Sequence, residues 1–459
     1  MKNSPNTLES YSQVFLSLTG DGASAGIYRG RRERLLRKMD SWGVIAGVPR
    51  EPGSEELFFS TWCRLIQDPA FLFLTGINQP GCFLTLNPFA SKQEEREILW
   101  LPKKNRNQEF WTGLRLGYDP DSLEEIRKIT GFQTIKLSDD LEEELKNLFS
   151  SPVPVSHYYC FYFESHEDHH LVFANKLRTL AGNREMKSLV PLHFEERLIL
   201  NELRIKHART AQEWTQQAFL KILPQVRHFK NERLLWLELD HLMLAQSDGD
   251  LAFPTIVAGG KNACCLHYVK KDEALREGEL VLLDFGVRCK TLHSDISRTL
   301  PVSGKFNLLQ KMIYEIVLRA MDLVQSLAAP GVKIQELNDK VWKYIESELD
   351  EKIKSRGGRY RLCYDLKPHG VSHLIGEQVH EGDPKRAYAE EGLKAGMLIS
   401  NEPGVYGFFE TEIDGNRFEE WVGIRVEDDL LITENGCENL SASIPKTIAE
   451  IERLMKESV

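Results

Sequence analysis

Short apolar runs alternate with amphipathic stretches in the first part of the chain. Four runs are typical of buried strands: FLFLTGI at 71–77, CFLTL at 82–86, ILWLP at 98–102 and YYCFYF at 158–163. The segment LEEELKNLF at 141–149 repeats its apolar residues at helical spacing. Strands that alternate with helices indicate an α/β domain.

The second half has longer helical patterns. Apolar residues at helical spacing predict helices at 198–222, 232–246, 308–327 and 334–349. Strand signals lie between and after them, in ELVLLDFGV, DISRTLPV, GMLIS and GIRVEDDLLIT. This order indicates an α+β domain with helices over a curved, mostly antiparallel sheet. A polar segment with Gly182, Asn183 and Pro191 suggests the boundary, so we expect domains at 1–182 and 183–459.

Length and charge narrow the function classes. The 459 residues allow two or three domains, and the net charge of 58 − 68 = −10 argues against nucleic acid as a partner. No apolar run reaches the twenty or so residues of a membrane span. The first residues lack the pattern of a secretory signal, and the cysteines show no CxxC spacing. We therefore expect a cytoplasmic protein that does not bind membranes.

Acidic residues interrupt the apolar strands of the second half. Asp284 ends one strand and Asp295 begins the next, eleven positions later, so a turn over 289–292 would make a hairpin. Paired strands can bring opposed side chains within about 5 Å, where two carboxylates would repel and a bound cation would relieve the repulsion. The alternative is that one Asp is a turn residue and the other pairs with Arg298.

Two glutamates have a similar setting. Glu402 follows GMLIS, and Glu427 lies two positions after Arg425, so that both side chains should share one strand face. Burying a carboxylate costs several kcal/mol unless it is paired or ligated. An ion pair on an exposed edge is the alternative for Glu427, and the neighbouring Asp428 and Asp429 are expected to be solvated or turn residues.

Histidines gather in the same half. His369, His373 and His380 occur in PHGVSHLIGEQVHEG, and His267 occurs in CCLHY. A single histidine is more often a satisfied core residue than a ligand. Four acids and several histidines beside apolar strands make a metal centre the stronger interpretation.

A second histidine cluster formally matches the H-E-x-x-H zinc pattern at 166–170. We expect it to open a helix instead, with Ser165 as N-cap and Asp168 completing a capping box. Zinc binding there remains the alternative.

These motifs together resemble the aminopeptidase P family of proline-specific metallopeptidases, whose catalytic domain has the pita-bread fold. The similarity extends over LVLLDFG, SDISRTLPVSGKF, HGVSHLIGEQVHEG, NEPGVY and GIRVEDDLLIT, and FLFLTGINQPG resembles the family's N-terminal regulatory domain. The family's ordered ligands are matched by Asp284, Asp295, His373, Glu402 and Glu427.

The resemblance implies a dinuclear centre. Asp284 would bind one ion, His373 and Glu402 the other, and Asp295 and Glu427 both. Carboxylates with one imidazole suit manganese, so two Mn²⁺ ions are expected.

It also implies catalytic and substrate-binding roles. Glu402 would handle the proton of the attacking water, and His267 and His380 would hold the substrate and the oxyanion. His369 would line the proline pocket, and Arg425 would lie on the substrate side. The implied reaction removes the N-terminal residue that precedes proline in peptides, in an enzyme that assembles as a homodimer or homotetramer.

The chain also departs from the family pattern at two places. The family usually has Leu-Gly-Leu-Asp-Val-His-Asp where this chain has Ile375-Gly376-Glu377-Gln378-Val379-His380-Glu381, and His293 stands where a small or aromatic residue is more usual.

Three rival functions share this fold. Prolidase, which cuts only Xaa-Pro dipeptides, would have all five ligands. A non-catalytic pita-bread binding protein and a metal-free hydrolase of the creatinase type are both disfavoured by the intact ligand set.

Overall fold

The computed structural model describes residues 24–49, 67–112, 114–150, 156–163, 168–247, 250–364, 367–382 and 391–456. Contacts among the described residues divide the chain into two compact units that part after Arg197. This division comes somewhat later than the polar segment that suggested a boundary in the sequence.

The first unit is an α/β domain. Its strands are β1 (Gly43–Ala46), β2 (Phe83–Leu86), β3 (Glu97–Leu101), β4 (Thr134–Leu137), β5 (His157–Cys160) and β6 (Glu185–Ser188). Its helices are α1 (Ser24–Lys38), α2 (Pro69–Thr75), α3 (Arg106–Thr112), α4 (Leu123–Thr130), α5 (Leu141–Ser150), α6 (His169–Ala181) and α7 (Val190–Arg197). The strands form one sheet in the order β4-β3-β2-β1-β5-β6, with parallel and antiparallel pairs.

One expected strand of this unit is a helix. The apolar run at 71–77 is typical of a buried strand, but its residues 71–75 lie in α2. Asp68 caps this helix through its side chain, Pro69 occupies the first turn, and Gly76 ends it with a left-handed φ of 70°. The capping residues outweigh a short apolar run, whose periodicity cannot distinguish a buried strand from a buried helix.

The second unit combines long helices with short sheets. Its helices are α8 (Glu202–Ile222), α9 (Glu232–Gln246), α10 (Leu308–Leu327), α11 (Ile334–Lys352) and α12 (Ile448–Leu454). Its strands are β7 (Asp250–Leu251), β8 (Ile256–Gly259), β9 (Leu280–Phe285), β10 (Val287–Cys289), β11 (Leu292–His293), β12 (Ile296–Pro301), β13 (Arg359–Leu362), β14 (Leu374–Ile375), β15 (Leu398–Asn401), β16 (Gly404–Ile413), β17 (Asn416–Arg425), β18 (Asp428–Thr433) and β19 (Gly436–Asn439). Every strand pair described in this unit is antiparallel, as expected for the α+β domain.

Helix caps set the boundaries in this unit. Asn201, Asn231 and Asn307 each accept a backbone N–H in the first turn of the helix that follows, so α8 begins later than the apolar pattern suggested. The segment GIRVEDDLLIT, expected to be one strand, is two strands that break at Val426–Glu427. The break places Glu427 between β17 and β18.

None of the helices in the described ranges is both long enough and apolar enough to cross a bilayer.

Candidate metal centre

A hairpin places the first two acids. Strand β9 pairs with β12 so that Asp284 lies opposite Ser297, and Asp295 directly precedes β12. Gly286 permits this approach, because a Cβ there would overlap the carbonyl oxygen of Ser294. The hairpin expected from the spacing therefore forms, and it directs both carboxylates into one site.

Glu427 enters beside this hairpin. Its backbone N–H donates to the carbonyl oxygen of Ser297 across 3.0 Å, and the Ser297 hydroxyl donates to Glu427 Oε2 across 2.7 Å. Asp284, Asp295 and Glu427 each offer a carboxylate oxygen within 4.8 Å of the others. Glu427 is buried, so the exposed-edge ion pair considered from the sequence is wrong.

The hydroxyl group of Ser400 forms hydrogen bonds with both His373 and Glu402. The Ser400 hydroxyl accepts the backbone N–H of His373 across 2.9 Å and donates to Glu402 Oε1 across 3.3 Å. His373 Nδ1 lies 3.1 Å from the carbonyl oxygen of Leu374, which fixes the proton on Nδ1 and leaves Nε2 as a ligand atom. Nε2 lies 3.5 Å from Glu402 Oε1 and 3.4 Å from Asp295 Oδ2.

All five predicted ligands therefore meet. His373, Glu402 and Glu427 form a second group with ligand atoms within 4.8 Å, and it shares Glu427 with the first group. Glu427 thus links the two groups, and Asp295 of the first group contacts His373 of the second.

Electrostatics favour cations here. Burial, and then the neighbouring carboxylates, raise the pKa values of Asp295 and Glu427 well above their usual range, and burial also raises that of Glu402. The Oδ1 atom of Asp284 is buried and has no hydrogen-bond partner among the described residues. Crowded acids and an orphaned carboxylate oxygen fit divalent ions, which would neutralise the charges and accept the free lone pairs.

Arg425 contributes positive charge at one edge. Its guanidinium donates to Asp284 Oδ2 across 2.5 Å and to the Ser297 hydroxyl across 2.8 Å, and it lies 4.0 Å from Glu427 Oε2. A contact of 3.4 Å joins it to the Tyr406 hydroxyl. Arg425 therefore offsets the charge of the acid cluster.

Three further histidines surround the acids. The ring of His380 lies 4.4 Å from that of His373, and His267 stacks at 6.3 Å from His380. His369 Nε2 lies 3.0 Å from the Tyr406 hydroxyl. Burial and the nearby Arg425 lower the pKa of His369 to about 3, which keeps this ring neutral at physiological pH.

A cavity of about 250 Å³ opens onto the cluster. Asp284, Asp295, His267 and His380 line it. Its lining also includes apolar residues: Phe253, Pro254, Ile256, Val269 and Val379.

Known proteins are similar to this chain in sequence and in fold. The profile of "Metallopeptidase family M24" matches residues 206–434, and that of "Aminopeptidase P, N-terminal domain" matches residues 28–155. Xaa-Pro aminopeptidase of Haemophilus influenzae is 32% identical over 404 residues, which is 85% of this chain and 88% of that protein. Xaa-Pro aminopeptidase of Escherichia coli K12 is 31% identical over 93% of this chain and 97% of its own length.

The chain belongs to the aminopeptidase P family. The solved aminopeptidase P from E. coli with the inhibitor Pro-Leu superposes with a TM-score of 0.76 and 28% identity, over 94% of this chain and 98% of that one. These findings confirm the resemblance and the pita-bread fold. A member of this metallopeptidase family is a metal-dependent peptidase.

Two acids of this aminopeptidase P family member differ from the expectation based on sequence. Asp428 and Asp429, expected to be solvated, are fully buried. Arg298 donates to Asp428 across 2.8 Å, so it pairs with neither Asp284 nor Asp295. Asp429 Oδ2 accepts the backbone N–H of Asp295 across 3.1 Å and a hydrogen bond from Gln212. Asp429 thus orients a predicted ligand.

Sequence reasoning also missed three neutral residues that hold the site. Ser297 and Ser400 orient the ligands, and Tyr406 joins His369 to Arg425. The sequence spacing could have identified the two serines, because Ser297 and Ser400 each lie two positions from a candidate ligand. Side chains two apart on a strand share a face.

Proposed function

We propose that the chain is a Xaa-Pro aminopeptidase that removes the N-terminal residue preceding proline. The convergence of Asp284, Asp295, His373, Glu402 and Glu427 at one buried site carries this proposal. The Xaa-Pro aminopeptidases to which the chain is similar support the choice of substrate.

Asp284 would hold one divalent ion, and His373 with Glu402 the other, while Asp295 and Glu427 would contact both. Mostly oxygen ligands with one imidazole favour Mn²⁺. When bound, the ions would polarise the scissile carbonyl and lower the pKa of the attacking water.

The protein's own groups would bind substrate and move protons. Glu402, whose pKa burial raises, would accept the proton of the attacking water. His267 and His380 line the cavity and would hold the substrate and the developing oxyanion. Arg425, already charged and fixed by Asp284, would orient substrate from the edge of the cluster.

Proline needs special recognition because its nitrogen has no hydrogen and its φ is locked. A pocket for the pyrrolidine ring must replace backbone hydrogen bonds. His369 would line that pocket, since its neutral ring contacts Trp342 and Tyr406 edge-on, at 5.5 and 5.7 Å between centroids. An apolar ring would meet aromatic walls there.

The test compares a Xaa-Pro-Xaa tripeptide with the matching Xaa-Pro dipeptide, each with Mn²⁺ and with chelator. We expect cleavage of the tripeptide that chelator abolishes and Mn²⁺ restores. Cleavage of the dipeptide alone would assign a prolidase. Elemental analysis that found no bound metal, with no gain of activity on adding Mn²⁺, would favour a non-catalytic binding protein.

The setting of the enzyme is part of the same proposal. Its partners would be peptides with proline in the second position and further copies of the chain, in a dimer or tetramer. A cytoplasmic location is supported by the described cysteines, which form no disulfides with one another. Light scattering of the purified enzyme would determine the oligomeric state.

A further inference from the structure

Two histidines at the H-E-x-x-H segment lie close to an aspartate of the first unit. Helix α6 begins at His169, with Asp168 as N-cap, whereas the expected cap Ser165 and the first histidine, His166, lie outside the described residues. His169 and His170 face Asp68, about a hundred positions earlier in the chain. One ligand atom from each of these three residues lies within 4.8 Å of the others.

Asp68 divides its two oxygens between two tasks. Oδ1 accepts the backbone N–H groups of Ala70 and Phe71, at 2.8 and 3.0 Å, and so caps α2. Oδ2 points the other way, 2.8 Å from His170 Nε2 and 3.8 Å from His169 Nε2. Capping α2 therefore leaves Oδ2 available as a ligand atom.

His169 Nε2 is not satisfied by this arrangement. The atom is shielded from solvent and has no hydrogen-bond partner among the described residues, because 3.8 Å is too long for a hydrogen bond to Asp68. Burial lowers the pKa of His169, which keeps its ring neutral. A neutral imidazole beside an ionised carboxylate is the state in which both can bind a metal.

We propose that Asp68, His169 and His170 form a second metal site, suited to Zn²⁺. Tetrahedral zinc with ligands at about 2.0–2.1 Å needs ligand atoms about 3.3 Å apart. The distances of 2.8 and 3.8 Å from Asp68 Oδ2 lie on either side of this value. The two imidazole ligand atoms lie within 4.8 Å of each other. Small side-chain movements would therefore give three protein ligands, with water in the fourth position.

Metal binding replaces the hydrogen bond between His170 and Asp68. The proton on His170 Nε2 leaves that atom, and the ring takes the tautomer protonated on Nδ1. Two imidazoles and one carboxylate distinguish this site chemically from the carboxylate-rich catalytic cluster. We therefore expect zinc to bind here in preference to manganese.

The test counts zinc in the full-length protein. Wild-type chain, His169→Gln and His241→Gln are dialysed against micromolar Zn²⁺ and analysed for metal per chain. His241 is an exposed histidine on α9 and serves as the matched control. We expect His169→Gln to hold one zinc fewer than wild type, and His241→Gln to equal wild type.

The difference of one zinc does not depend on how many ions the catalytic centre takes, so this test is separate from that of the proposed function. His170→Asn is a second variant with the same expected loss, and circular dichroism checks that each variant is folded. We expect His169→Gln to keep the peptidase activity of the Mn²⁺-loaded wild type. Equal zinc content in wild type and His169→Gln would overturn the proposal.

Discussion

Arg204 on α8 donates to Glu377 across 2.6 Å, and both side chains are almost completely buried. Glu377 lies in the segment where this chain departs from the usual family pattern, three positions before His380. Gly376 belongs to the same segment, and its carbonyl oxygen accepts a hydrogen bond from His293 Nδ1 across 2.9 Å. The residue Glu377, which departs from the usual family pattern, thus forms a buried ion pair that connects the segment carrying His380 to α8.

Replacing Glu377 by alanine should therefore destabilise the protein. The change removes the carboxylate that Arg204 contacts, and breaking a buried pair costs about 3–5 kcal/mol. Urea unfolding measures the loss, and kcat should also fall because His380 is less well held. Glu434→Ala, at an exposed glutamate, is the control.

The double variant Arg204→Met/Glu377→Leu sharpens this prediction. Replacing both charges by apolar residues of similar size is often neutral, so it should recover most of the lost stability. If Glu377→Ala unfolds at the wild-type urea concentration, the pair does not hold the segment.

Replacing an acid of the cluster should have opposite effects on metal binding and on the stability of the metal-free protein. Glu427→Gln should abolish metal retention and turnover together, because Glu427 belongs to both ligand groups. In metal-free protein the same variant should equal or exceed wild type in stability, since burial and Asp295 disfavour the charged carboxylate. Elemental analysis and urea unfolding in chelator measure the two effects. An active, metal-free Asp284→Asn or Glu427→Gln would refute the site.

His380→Ala separates chemistry from metal binding. We expect it to keep its metal and to lose about 10²–10⁴-fold in kcat, the range for a positioned proton-transfer or oxyanion-stabilising group. The matched control is His228→Ala, at an exposed histidine. A near-normal kcat would remove His380 from the mechanism.

Local signals predicted most of the fold. Apolar spacing gave α9 and α10 their bounds, and the eleven-residue spacing of Asp284 and Asp295 indicated their hairpin. The predictions failed where the burial of a residue depends on a partner that is distant in the sequence. The burial of Asp428 depends on Arg298, 130 positions away, and no local pattern marks such a pair.

Buried His193 predicts a pH dependence in the first unit. Burial, and then Arg197, lower its pKa well below the usual value of about 6.5. As pH falls below 6.5, His193 becomes protonated in the unfolded chain but stays neutral in the folded protein. This one residue therefore lowers the free energy of unfolding by up to about 1.4 kcal/mol per pH unit. Urea unfolding of wild type and His193→Asn at pH 7.5 and 5.5 should show the smaller loss in the variant. Equal losses would show that His193 takes up its proton alike in the folded and unfolded states.

Gly286 tests whether hairpin geometry controls the metal centre. Alanine there would drive its Cβ into the carbonyl oxygen of Ser294, so β10 and β11 must separate near Asp295. Because the contact is with backbone, no side-chain rotation can relieve it. We expect Gly286→Ala to lower metal content and kcat, whereas Gly26→Ala, where a Cβ meets nothing within 4 Å, should leave both unchanged. Full metal content in Gly286→Ala would mean that the ligands tolerate a displaced hairpin and that Glu427, His373 and Glu402 hold the ions without it.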